Sequence, residues 1–230
     1  MIRTVADTGS TNADLLAEAQ AGAPEGLWLR AESQSGGRGR AGRSWISPPG
    51  NLHASTIVRL NPGEPEPATL ALVAAVALEE VAAAYAGPVK LQLKWPNDLM
   101  AGHAKLAGVL LERVGDAVVI GFGVNLAHHP EGLDRPTASL VALGIEPPDP
   151  GLFLADLADT FARWLGRWRG EGLGPVRARW LGRAHPIGSA LATAESEGLF
   201  DGLDFSGALL LRRADGRVET IRAGDVFLVE

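Results

Sequence analysis

Gln34-Ser35-Gly36-Gly37-Arg38-Gly39-Arg40-Ala41-Gly42-Arg43-Ser44-Trp45 is the stretch on which the reading of this chain turns. Between Gly36 and Arg43, three arginines are interleaved with four glycines. Glycine lets a backbone approach a ligand closely, and guanidinium supplies permanent forked donors that match carboxylate or phosphate oxygens. Such a loop serves as an anion clamp, as a solvated flexible segment, or as an arginine–glycine contact to nucleic acid. It is not a P-loop, because no G-x-x-x-x-G-K-[ST] follows a strand here. Trp45, just after it, adds an aromatic face on which a nucleotide base can stack.

Working outward, residues 10–21 read as a short helix, with Leu15, Leu16 and Ala19 on one face and Thr11 and Asp14 as a capping box. Residues 26–31 read as a buried strand, 33–51 as a long loop, and 52–60 as a strand rich in β-branched residues. The alanine- and valine-rich segment 68–86 reads as a helix packed on most sides, stopped by Gly87-Pro88. Strands follow at 89–95, 105–113 and 117–124, then helices at 152–168 and 173–181. From residue 187 the texture changes to short strands with glycine turns. Asp215-Gly216, between 208–213 and 218–222, is a strong hairpin signal. The pattern predicts an α+β fold, with a mixed α/β domain over 1–182 and a small β-barrel-like domain over 183–230.

The chain has 230 residues, 46% hydrophobic and 21% charged, enough for a sizeable core without disulfide or metal staples. It contains no cysteine, which excludes a disulfide scaffold, a thiolate zinc site, an iron–sulfur cluster and a cysteine nucleophile. That composition fits a reducing, cytoplasmic compartment. Twenty-one Lys and Arg against 27 Asp and Glu give a net charge of −6, which argues against a general nucleic-acid coat. The N-terminus has no apolar core of signal-peptide length, and no run reaches the ~20 apolar residues of a membrane span, so no membrane association is expected.

Four further segments carry candidate chemistry. Ser10-Thr11-Asn12 offers hydroxyl and amide groups at a helix N-terminus, where they either read a polar ring such as a urea or simply cap the helix. In Lys94-Trp95-Pro96-Asn97-Asp98, Asp98 either handles a substrate amine or satisfies its own turn. In Lys105-Leu106-Ala107-Gly108, the lysine either meets an anion or is solvated at a strand start. The glycines of Ile120-Gly121-Phe122-Gly123-Val124-Asn125 leave a smooth floor for a flat ligand, or mark a tight strand crossing. His128-His129 lacks a third ligand at metal spacing, so no protein metal site is expected, and Trp164 and Trp168 read as core.

The joint order of these motifs is more specific than any of them alone. S-T-N, Q-x-x-G-R-G-R-x-G-R-x-W, K-W-P-N-D, K-L-A-G and G-x-G-x-N resemble the biotin protein ligases, the biotin–[biotin carboxyl-carrier protein] ligases. The resemblance implies a catalytic domain related to class II aminoacyl-tRNA synthetases and lipoate ligases, followed by an SH3-like β-barrel. Nine residues precede Ser10, so it implies the monofunctional type without an N-terminal DNA-binding domain, and no DNA binding is expected.

The implied activity is ATP-dependent formation of biotinyl-5′-AMP, then transfer of biotin to a lysine of a biotin carboxyl carrier protein such as that of acetyl-CoA carboxylase. Magnesium would accompany ATP. A lipoate or octanoate ligase, or a non-catalytic biotin or nucleotide sensor, is the alternative. Carried over residue by residue, the resemblance assigns Ser10, Thr11, Asn12, Gln34, Arg38, Gly39, Arg40, Lys105 and Gly108 to biotin. It assigns Arg40, Arg43, Trp45, Lys105 and Asn125 to ATP, and Lys105, Arg38, Arg40 and Asp98 to catalysis. Monomers and homodimers both occur among such ligases, and a homodimer is the expectation here. The sequence departs from the usual pattern at Gly36, His53 and Ala104.

Overall fold

Leu52–Arg59, buried along all but its last residue, forms β3 near the middle of a seven-stranded sheet in the computed structural model, which describes residues 1–133 and 135–229. The other strands are β1 (Ile2–Thr8), β2 (Trp28–Gln34), β4 (Leu91–Lys94), β5 (Asp98–Ala101), β6 (Ala104–Val114) and β7 (Ala117–Val124). Their order is β1-β2-β3-β7-β6-β5-β4; β1 and β2 are parallel and every other pairing is antiparallel.

The helices are α1 (Thr11–Gln20), α2 (Leu70–Ala86), α3 (Pro150–Glu171) and α4 (Gly174–Leu181). The two-residue period of a strand decides which face each meets. Leu52, Ala54 and Val58 of β3 and Val118, Ile120, Phe122 and Val124 of β7 join the core built with α2, α3 and α4. Ile57, Ala117 and Val119 face the other way and pack with Leu15 and Ala19 of α1. By length and composition Pro67–Ala86, which includes α2, passes for a membrane span, but most of it lies buried inside the fold. Trp164 and Trp168 lie in the core.

Beyond α4, the strands β8 (Ala190–Ala192), β9 (Glu197–Leu203), β10 (Leu209–Arg212), β11 (Val218–Ile221) and β12 (Phe227–Leu228) form an antiparallel five-stranded sheet. Its order is β11-β10-β9-β8-β12, and the hairpin across Asp215-Gly216 is present. Leu191, Phe200, Leu203, Leu209, Leu211 and Val226 belong to the same apolar cluster as α2 and α3, so the core is continuous between the two sheets.

Three local expectations are corrected. Ile2–Thr8, to which no element was assigned, is a strand; it is a sheet edge with mostly exposed side chains, so no apolar alternation marks it. Asp98 does not end in a loop turn but opens β5, with Lys94 opposite it as the closing pair of the β4–β5 hairpin. The cap of α1 is Ser10, whose hydroxyl accepts from the Ala13 N–H at 3.5 Å, while Asp14 is taken by the hydroxyl of Thr8 rather than by Thr11.

Candidate active site

The face of the sheet opposite α2 holds three cross-strand rows. His53, Gly123 and Gly108 form one, Ser55, Gly121 and Leu110 the next, and Ile57, Val119 and Glu112 the third. The glycines of the first two rows make the floor expected from the sequence, but the floor is already covered. The indole of Trp45 lies on Gly108 and Gly123, and Asn12 lies on Gly121. A Cβ at Gly123 would stand 2.4 Å from the indole, and one at Gly121 would stand 2.2 Å from Asn12 Oδ1. The glycines admit the chain's own side chains, and a ligand then meets those.

Above this floor is a cavity of about 390 Å³. Ser10, Thr11, Asn12, Gln34, Arg38, Gly39, Arg40, Arg43, Trp45, Asp98, Lys105, Gly108 and Asn125 all line it. Distant segments meet here because the N-terminus of α1, the end of β2 and the start of β6 all reach the same end of the sheet.

At one end a polar chain runs through the wall. Thr11 N–H donates to Gln34 Oε1 at 2.8 Å, Thr11 Oγ1 is 2.7 Å from Ser55 Oγ, and Ser55 Oγ donates to Asn12 Oδ1 at 2.6 Å. Gln34 Nε2 continues the chain to Ser47 Oγ at 2.8 Å. Buried hydroxyl and amide groups hold one another in place here, which suits recognition of a small polar ring.

Cations occupy the rest. Lys105 and Lys94 both pair with Asp98, the second at 3.1 Å, and Lys94 also donates to Val226 O at 3.0 Å. Arg40 donates to Asn97 Oδ1 and to Gly224 O, each at 3.1 Å, and Arg43 pairs with Asp225 at 2.8 Å. Arg38 turns the other way, 3.6 Å from Glu112. The glycine–arginine loop thus sends one cation toward the polar chain and two toward the C-terminal segment. Trp45 Nε1 and Asn125 Oδ1 are buried without a partner among the described residues, leaving one donor and one acceptor for a ligand.

The Biotin/lipoate A/B protein ligase family model matches residues 7–125, and the biotin protein ligase C terminal domain matches residues 191–229. A biotin–[acetyl-CoA-carboxylase] ligase of Paracoccus denitrificans is 41% identical, over 97% of this chain and 98% of that protein. The chain belongs to the biotin protein ligase family. The corresponding ligase of Mycobacterium tuberculosis is 37% identical over 96% of this chain and 86% of its own length. A biotin protein ligase from Aquifex aeolicus, solved in complex with biotin and ATP, superposes with a TM-score of 0.86 at 25% identity, with 99% of both chains covered. The fold of the family is accordingly mixed α/β with a C-terminal β-sheet domain, as the motif order implied.

Within this biotin protein ligase, electrostatics separates the two lysine-bound groups. Burial pushes the Asp98 carboxyl up, but Lys105 and Lys94 outweigh it and hold the group below the usual carboxylate range. Burial in turn holds Lys105 below the usual lysine range, against the pull of Asp98. His53, buried under the Trp45 end, is pushed down by burial and has Nε2 3.0 Å from Pro48 O. His129 Nδ1 lies 3.2 Å from Ser139 Oγ.

Sequence reasoning missed Ser55, Lys94, Glu112 and Asp225. Ser55 was marked by polar residues inside an otherwise apolar strand, and Lys94 by its place in K-W-P-N-D. Glu112 and Asp225 carry no local signal, since each acts through a partner far away in the chain.

Proposed function

We propose that this protein activates biotin with ATP as biotinyl-5′-AMP and transfers the biotinyl group to a lysine of a biotin carboxyl carrier protein of the acetyl-CoA carboxylase kind. One observation carries the reading: a polar reader for a urea ring and a set of fixed cations share one cavity with Trp45 and Asn125. We assign catalysis to residues 1–182 and a supporting role to 183–230, which supply Asp225 and Val226 to the site, and we place the protein in the cytoplasm.

In the first step a biotin carboxylate oxygen attacks the α-phosphorus of ATP, and the bond to pyrophosphate breaks. Two anions meet, so preorganised cations matter more than acid–base groups. We assign Lys105, Arg38 and Arg40 to the biotin carboxylate and α-phosphate, and Arg43 to the remaining phosphates. One such donor is worth roughly 2.7–4 kcal/mol. Magnesium would come bound to ATP and would offset charge on its phosphates. The donor set here is cationic, and its two carboxylates, Asp98 and Asp225, are already paired to lysine and arginine. Among the described residues no three His, Cys, Asp or Glu side chains cluster as a metal cage.

In the second step the carrier lysine attacks the carbonyl carbon of the mixed anhydride, AMP leaves, and a proton passes to solvent. At a lysine pKa of ~10.4, freeing the amine at pH 7 costs about 4.6 kcal/mol. Asp98, held below the usual carboxylate range, is a weak base, so we assign it to orienting that amine and holding Lys105. Closure of the Gly36–Arg43 loop keeps water from the adenylate.

The test is isotope exchange from pyrophosphate into ATP with biotin, with lipoate or without acid. Exchange that requires biotin is the expected result. Exchange with lipoate alone would move the protein to the lipoate ligases, and none with either, in folded protein, would favour a sensor.

A further inference from the structure

Glu112 stands on β6 just beyond the cavity, and neither of its contacts is local. Its Oε2 accepts from Asn12 Nδ2 at 2.9 Å, and its Oε1 lies 3.6 Å from Arg38 Nη1. The other amide atom of Asn12, Oδ1, is held by Ser55 Oγ at 2.6 Å. An asparagine amide is two-ended, and its partners decide which way round it sits. A carboxylate accepts and cannot donate, so Glu112 can receive only the amino end of Asn12. Ser55, by donating, then takes the oxygen.

The floor makes this reach possible. Asn12 lies across Gly121, where a Cβ would stand 2.2 Å from its oxygen, and Glu112 sits one row further along the same face. The same carboxylate draws Arg38 back over that end of the cavity. One side chain therefore connects the amide at the ring end of the site with the first arginine of the loop.

We propose that Glu112 is a positioning residue for recognition of the cyclic urea: it locks Asn12 in one amide orientation and holds Arg38 above it. The inference rests on the biotin-activating reading above. With the amide locked, Asn12 keeps one N–H and one oxygen lone pair in fixed places. These are the complements of a urea carbonyl and a urea N–H. Without Glu112 the amide can turn over and present the wrong group.

The test compares E112A and E112Q with the wild-type protein in biotin-dependent pyrophosphate exchange, each checked by thermal unfolding. Loss of a hydrogen bond to a charged group should raise the KM for biotin about tenfold or more in E112A. The KM for ATP should stay within about twofold, because the phosphate-side arginines pair with Asp225 instead. Glutamine offers a donor end as well as an acceptor and can also receive the turned-over amide. E112Q should therefore raise the KM for biotin too, by less than E112A, with the KM for ATP still within about twofold. A biotin KM unchanged in E112A, or equal rises in both KM values, would overturn the inference while leaving the activity intact. Should E112A fail to fold, E112Q with an unchanged KM for biotin would overturn it, since the accept-only partner of the amide is gone there. Wild-type protein without biotin-dependent exchange would overturn the activity itself, and this role with it.

Discussion

Gly123 and Trp45 meet face to face: the glycine on β7 has no side chain because the indole occupies that space, 2.4 Å from where a Cβ would be. Lys105 Nζ sits 5.5 Å from the centre of the same ring, which places a cation against the indole. Gly123→Ala must therefore push Trp45 off its seat. Overpacking of this kind costs roughly 1–3 kcal/mol, so a lower Tm is expected. The larger effect should be on the nucleotide, with a KM for ATP at least about tenfold higher and a KM for biotin nearly unchanged. Steady-state kinetics in both substrates checks the split, and a normal KM for ATP would remove Trp45 from the nucleotide site.

Asp98 and Lys105 should respond unequally to truncation. Asp98→Ala leaves Lys94 and Lys105 both buried without their carboxylate, and breaking a buried pair costs about 3–5 kcal/mol. Lys105→Ala leaves Asp98 with Lys94, so its stability loss should be smaller. Catalytically the order reverses: Lys105→Ala should slow adenylation by ~10² or more. Urea unfolding and single-turnover adenylate formation test the two halves, and unchanged turnover in Lys105→Ala would sink the assignment.

Asp225 occupies the arginines assigned to phosphate. Arg43 pairs with it at 2.8 Å and Arg40 lies 3.6 Å away, so nucleotide must displace the carboxylate. Asp225→Asn should lower the KM for ATP. The pair is about a third exposed, which limits the effect to about fivefold. A higher KM would mean that Asp225 holds the loop in its working shape instead.

His185 sets a pH dependence of stability. Burial, with Lys94, His103 and Lys90 nearby, pushes it down to about 4 from its ordinary 6.5. Its Nε2 is buried without a partner among the described residues. Between those two values the unfolded chain binds the proton and the folded chain does not, so stability falls as pH drops from about 6.5 toward 4. Asp98 and Asp225 are held below the usual carboxylate range, so their losses begin only at lower pH. Unfolding free energies at pH 7, 6 and 5 should show the slope in wild type, and His185→Gln should reduce it, leaving the part that comes from the buried His53.

Much of the site was legible because its chemistry sits in short motifs. Ser10-Thr11-Asn12, the arginine loop, Asp98, Lys105 and Asn125 announce themselves by residue type and spacing, and all of them line one cavity. The long helices were legible too, since Leu70–Ala86 and Pro150–Glu171 bury wide apolar faces. β1 was not, because an exposed edge strand is held by backbone pairing with β2 and needs no apolar pattern. What covers the glycine floor was not legible for a different reason: a glycine records that something lies above it, and says nothing of whether that is ligand or protein. Here Trp45 and Asn12 lie there.

By itself, then, the order of residues determined the inventory of reacting groups and the family to which the chain belongs. The tertiary structure alone decided how those groups are paired. Glu112 reaches Asn12 across 100 residues of chain, and Arg43 reaches Asp225 across 182. Those partners are chosen by strand register and by the docking of the C-terminal sheet, and both depend on packing across the whole core, which no local stretch encodes.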